Sequence, residues 1–201
     1  AWVEALMRRL VVIATVLTFV VVVVGAYVRL EGAGLGCPDW PGCYGQITPL
    51  HAREAIDRAV SEQCGTHGPV SLPKAWKEMV HRYLAGALGL AILASAAVAW
   101  RRRAALRQSP FLATSIVAIV VFQATLGMWT VTMLLKPVIV TLHLLGGMAT
   151  LGLLTWLALR QFPAPTEVSP GASRMRPWAA VGLLVGVCQI ALGGWVSTNY
   201  A

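Results

Sequence analysis

Long apolar runs alternate along this chain with short charged segments, and the runs share a length. Leu10–Val28, Tyr83–Trp100, Phe111–Leu135, Pro137–Leu159 and Trp178–Val196 contain no Asp, Glu, Lys or Arg. A helix of about 20 residues crosses a hydrocarbon core of about 30 Å. In lipid, a backbone that satisfies its own hydrogen bonds must be a helix or a closed barrel. The pattern therefore predicts an all-α, polytopic membrane helix bundle with five transmembrane helices. The first run follows Arg8-Arg9, as a secretory signal would. It is longer than a usual signal core, however, and Gly25-Ala-Tyr-Val-Arg29 is a poor cleavage site, so it reads as a retained span.

Composition agrees. Of 201 residues, 57% are hydrophobic and 12% charged, against about 25% charged in a soluble domain. The net charge of +8 belongs to loops at a membrane surface, so the predicted partner is the lipid bilayer and not nucleic acid. The amino terminus and the 101–110 and 160–177 loops carry nine Arg (8, 9, 101, 102, 103, 107, 160, 174 and 176) against Glu4 and Glu167. The opposite segments carry seven basic and six acidic residues. The positive-inside rule then predicts a cytoplasmic amino terminus, with the 29–80 loop outside. Pro38, Pro41 and Pro49 mark a compact turn region in that loop. His51–Gln63 has a helical pattern, and Ala75–Arg82 is expected to run on as helix into the second span.

The sequence also repeats itself. Gln123-Ala-Thr-Leu-Gly-Met-Trp-Thr-Val-Thr132 matches Gln189-Ile-Ala-Leu-Gly-Gly-Trp-Val-Ser-Thr198, and Gly25-Ala-Tyr-Val-Arg29 is a looser copy. A bland reading is an aromatic belt with small residues for helix packing. Duplication is the stronger one. It predicts an amino-terminal four-helix unit over residues 1–160, including the outer loop. Residues 161–201 are then a cytoplasmic linker and the first helix of a second unit. On this reading the chain is a fragment, or one partner of a split protein.

Few ionisable groups lie within the spans, and such groups are functional candidates by default. His81 stands at the outer end of the second span, and His143 is six residues into the fourth, which also starts from outside. At 1.5 Å per residue each lies within roughly 10 Å of the outer boundary. Two imidazoles at one depth on different helices suit the two axial positions of a heme iron. Hydrogen-bonded packing histidines are the plainer reading. Glu78 shares a helix face with His81 and stands at i, i+4 from Arg82. That pair is either an interfacial salt bridge, or a carboxylate beside a heme edge with an arginine able to reach a propionate. Gly146-Gly147 remove bulk either for a flat macrocycle or for helix packing. Cys37 and Cys43 flank Pro-Asp-Trp-Pro-Gly, and in an oxidising compartment a disulfide is the first reading, as staple or as redox pair. Cys64 competes as a partner. Cys188, within the fifth span, reads as packing. Cys-x5-Cys with His51 and His67 matches no usual zinc spacing.

Taken together, Gly25-Ala-Tyr-Val-Arg-Leu, Gly34-Leu-Gly-Cys-Pro-Asp-Trp-Pro-Gly-Cys-Tyr-Gly45, Glu78-Met-Val-His-Arg82, Leu126-Gly-Met-Trp-Thr-Val-Thr and Thr141-Leu-His-Leu-Leu-Gly-Gly resemble the heme A synthase family. The resemblance implies an oxidoreductase of the bacterial inner membrane, with loop 29–80 periplasmic. It would oxidise a methyl group of heme O to a formyl group, making heme A for cytochrome oxidase. It implies that His81 and His143 bind the substrate heme iron, that Glu78 is catalytic, that Arg82 helps bind the cofactor, and that Cys37 and Cys43 form a disulfide. It further implies a heme b in a second half not present here, a heme O synthase as supplier and an unidentified electron donor. A homo-oligomer is left open. The competing readings are a b-type cytochrome subunit that only carries electrons through a bis-histidine heme, and a cofactor-free assembly scaffold.

Overall fold

The computed structural model describes residues 2–63, 68–163 and 171–200. Seven helices follow in order: α1 (Trp2–Leu30), α2 (Arg53–Glu62), α3 (Leu72–Arg101), α4 (Arg103–Leu106), α5 (Phe111–Thr132), α6 (Pro137–Leu159) and α7 (Ala172–Tyr200). Five of them, α1, α3, α5, α6 and α7, are long and apolar enough to cross a membrane. The all-helical, multi-pass architecture expected from the apolar runs is what forms. Cys64, His67 and Glu167 lie outside the described residues.

Helix ends differ from the edges of the apolar runs for local reasons. α1 begins at Trp2, because no Pro or Gly interrupts residues 2–9 and a helix can continue past the lipid into its charged flank. α3 starts where Ser71 accepts a hydrogen bond from the Lys74 N–H at 3.3 Å, with Pro73 in the first turn. From there it runs unbroken through Glu78 and His81 to Arg101, as Ala75–Arg82 led us to expect. The third span stops at Thr132 instead of Leu135. Leu134 and Leu135 are left-handed, with φ of 53° and 57°, and the Leu135 N–H returns to the Thr130 carbonyl at 2.7 Å. Lys136 is extended, as a residue before proline prefers, and Pro137 opens α6.

α1, α3, α5 and α6 pack in a closed ring, each against two others: α1 on α3, α3 on α5, α5 on α6 and α6 on α1. α3 and α6 therefore stand across the ring from each other. α7 docks on α6, and its large apolar side chains remain exposed. At one end, Met7, Val11, Leu88, Ile92, Ile116, Leu154 and their neighbours form the main buried cluster. The Arg-rich segments gather there too, with Arg8 over the Phe162 ring and Gln161 donating to Gln108. At the other end a second buried cluster joins Cys37, Cys43, Ala52, Ile56, Ala75 and Met79, so the outer loop folds onto the start of α3.

Gly36 makes that contact tight. A β-carbon there would lie 2.7 Å from the Ala75 nitrogen and 2.8 Å from the Lys74 carbonyl carbon, both backbone atoms. Gly36→Ala should lower stability by about 1–3 kcal/mol through overpacking. Thermal unfolding in detergent checks this, and an unchanged melting curve would refute the tight seat.

Candidate functional site

The two spanning histidines come from helices across the ring, at the end opposite the main core. His81 is on α3 and rests against α1, where a β-carbon on Gly25 would lie 2.9 Å from its Nε2. His143 is on α6 and rests against α5, where a β-carbon on Gly127 would lie 3.3 Å from its Cε1 and 3.8 Å from its Nε2. His81 lies against the Val21 carbonyl, and His143 against the Gln123 carbonyl. Around them Val21, Val22, Gly25, Gln123, Gly127, Gly146 and Gly147 are only half-buried.

Polar atoms are left over here. His143 Nδ1 and Gln123 Nε2 are buried without a hydrogen-bond partner, as is Thr141 Oγ1, which faces Gly194 of α7. Orphaned buried donors and acceptors are rare and costly. A buried imidazole nitrogen with no partner has the chemistry of a ligand for heme iron. Sequence reading missed the part Gln123 plays. The space left by Gly146 is taken by its side chain, since a β-carbon on Gly146 would stand 1.8 Å from Gln123 Nε2. Gly147 instead faces Val22 at 3.8 Å. The recurrence of Gln123 at Gln189 in the repeat was the available signal.

Glu78, buried three residues before His81, and Arg82, half-buried immediately after it, are both turned to the loop that follows α1. Glu78 Oε2 accepts the Cys37 N–H at 2.9 Å, and its Oε1 accepts from the Arg82 guanidinium. Arg82 also donates to the Asp39 carbonyl at 2.8 Å and to the Gly42 carbonyl. Arg82 thus binds the loop in this structure. Cys37 and Cys43 form a disulfide, both fully buried. Asp39 accepts the Tyr44 and Gly45 N–H groups at 2.6 Å each, closing the turn. Partial burial, then the carboxylates of Asp39, Glu62 and Glu78, push the Tyr44 phenol above its usual range.

Arg29 of α1 donates to the Ser197 carbonyl of α7 at 2.6 Å, tying the fifth span to the ring near the same end. Gly193, the third copy of the repeated glycine, meets no neighbouring atom within 4 Å. Cys188 of α7 is a free, exposed thiol.

Comparison with known proteins bears on this arrangement. The family described as "Cytochrome oxidase assembly protein" matches residues 8–201. The heme A synthase of Shewanella oneidensis is 44% identical over 190 residues, covering 94% of this chain and 56% of that protein. The heme A synthase of Shouchella clausii is 29% identical, covering 84% and 51%, and that of Rhizorhabdus wittichii is 27% identical, covering 96% and 60%. The chain spans about half the length of the curated relatives it matches. No solved structure matches it.

Removing the Arg82 side chain strands Glu78 in a buried position and frees two loop carbonyls. Arg82→Ala should cost about 3 kcal/mol, the scale for breaking a buried pair from one side. It should also speed reduction of Cys37–Cys43, read by thiol labelling after a timed exposure to reductant. Labelling at the wild-type rate would show that the guanidinium does not secure the loop.

Proposed function

The chain belongs to the cytochrome oxidase assembly family, and from that membership we propose that it is the heme O-binding part of a heme A synthase. The reaction is oxidation of a methyl group of heme O to a formyl group, with heme O as substrate. The observation that carries this reading is the histidine pair. His81 and His143 stand on helices across the ring from each other, each imidazole packed against a glycine of a neighbouring helix, with His143 Nδ1 left without a partner. The relatives named heme A synthase support the same substrate.

Each residue has a task on this reading. His81 and His143 would hold the heme iron between α3 and α6. The iron of the bound heme supplies the redox chemistry. Glu78, on the same face of α3 as His81, is the carboxylate assigned to proton movement at the reacting edge. Its hydrogen bonds from Arg82 and the Cys37 N–H hold it in one position, which is what a group acting at a defined atom requires. Arg82 serves the heme by fixing Glu78 and the loop; a direct bond to a propionate would need it to leave these partners. The Cys37–Cys43 loop covers the site.

Residues 1–160 are read as the heme-binding unit, and 161–201 as a linker and the first helix of a second unit. The ring of four helices with α7 docked outside it supports this division. The Arg-rich end is assigned to the cytoplasm by the positive-inside rule. Loop 29–80 then faces the periplasm of a bacterial inner membrane, where a disulfide persists.

His81→Ala and His143→Ala should each abolish retention of heme O, measured by extraction and chromatography of the purified protein. Glu78→Gln should keep heme O bound and lower heme A formation by at least roughly a hundredfold, the smaller end of general acid–base effects. Heme A made by Glu78→Gln at the wild-type rate would remove Glu78 from the chemistry. Unchanged heme content in both histidine variants would sink the whole reading.

A further inference from the structure

We propose that Gly25 and Gly127 are positioning residues, each leaving a notch in its helix into which the imidazole of a neighbouring helix must fit to be held as an iron ligand. The proposal rests on the heme reading above. It starts from two close approaches, one that would force a neighbour to shift if a side chain were added and one that a side chain would crowd. A β-carbon on Gly25 would stand 2.9 Å from Nε2 of His81 and 3.4 Å from its Cδ2. On Gly127 it would stand 3.3 Å from Cε1 of His143.

The two contacts are the same contact made twice. Gly25 and Gly127 occupy equivalent positions of the internal repeat. Each lies on a helix running toward the histidine end of the ring, and each receives a histidine from the next spanning helix running back. In both cases the carbonyl facing the imidazole belongs to the residue four before the glycine: Val21 before Gly25, Gln123 before Gly127. Helix geometry explains the spacing. The side chain of residue i+4 sits over the turn before it and covers the carbonyl of residue i. Removing that side chain uncovers the carbonyl to a ring from outside. A histidine whose one ring nitrogen meets a backbone carbonyl has its tautomer and orientation set, and its other nitrogen is free for a metal. Packing alone would ask only for small residues. It would not ask for a glycine four residues after a carbonyl that faces an imidazole, twice, at equivalent positions.

The test uses the protein purified from membranes with its heme. Gly25→Ala and Gly127→Ala are compared with Gly86→Ala and Gly152→Ala, where an added β-carbon meets open space. Electron paramagnetic resonance reads the axial ligation without turnover, and extraction reads retained heme O and heme A. The first two variants should lose or shift the low-spin bis-histidine signal and retain heme about tenfold less well, the usual effect of disturbing a ligand's outer support. The two controls should match wild type. A second comparison does not depend on a clash being tolerated. His81→Gly should regain heme when free imidazole is supplied, and adding Gly25→Ala should block that rescue. Wild-type signals and retention in Gly25→Ala and Gly127→Ala, or equal rescue with and without Gly25→Ala, would overturn the proposal. If His81→Ala and His143→Ala themselves leave ligation and heme content unchanged, the heme reading falls and takes this proposal with it.

Discussion

A polar group carried into a low-dielectric interior must be given a partner, and this requirement organises the outer half of the molecule. Two imidazoles enter the ring from opposite helices, and water cannot serve them there as it would on a surface. The protein answers first with backbone. Val21 and Gln123 offer carbonyls that glycines leave uncovered, and each ring meets one. His143 Nδ1 still has no partner, nor does Gln123 Nε2. A bundle without a ligand would gain by replacing these groups with apolar ones, since hydrocarbon accepts leucine at no cost. Their presence, buried and unpartnered among apolar helices, is the physical argument for a bound group.

The same requirement explains the outer loop. Glu78 is a buried carboxylate, and both its oxygens accept hydrogen bonds from donors tied to that loop. Arg82 bridges the carboxylate to the carbonyls of Asp39 and Gly42, and the disulfide closes the turn that presents them. Loop, charge pair and α3 thus form one unit, and Gly36 allows the backbones to approach. Because Glu78 and Arg82 lie within one turn of His81, whatever shifts the loop also shifts the surroundings of that ligand. The stiff inner half, packed around Ile92, Ile116 and Leu154, keeps the four helices at fixed spacing beneath it.

The sequence alone determined the number and extent of the spanning helices, because a charge-free run of membrane length leaves the backbone no other satisfactory structure. It also singled out His81, His143, Glu78 and the cysteine pair, since few such groups occur in or beside apolar helices. Helix periodicity put Glu78 on one face with His81 and at i, i+4 from Arg82. What periodicity cannot supply is neighbours, and these only the tertiary structure decided. Packing of the ring set His81 and His143 on helices that stand across it from each other. Folding the outer loop onto α3 turned Arg82 away from any ligand and toward the carbonyls of the loop. The glycines of the repeat were legible as a recurrence at one depth, yet their purpose lay in an imidazole from another helix. A missing side chain has meaning only through what occupies its place, and that is set by packing between segments distant in the chain.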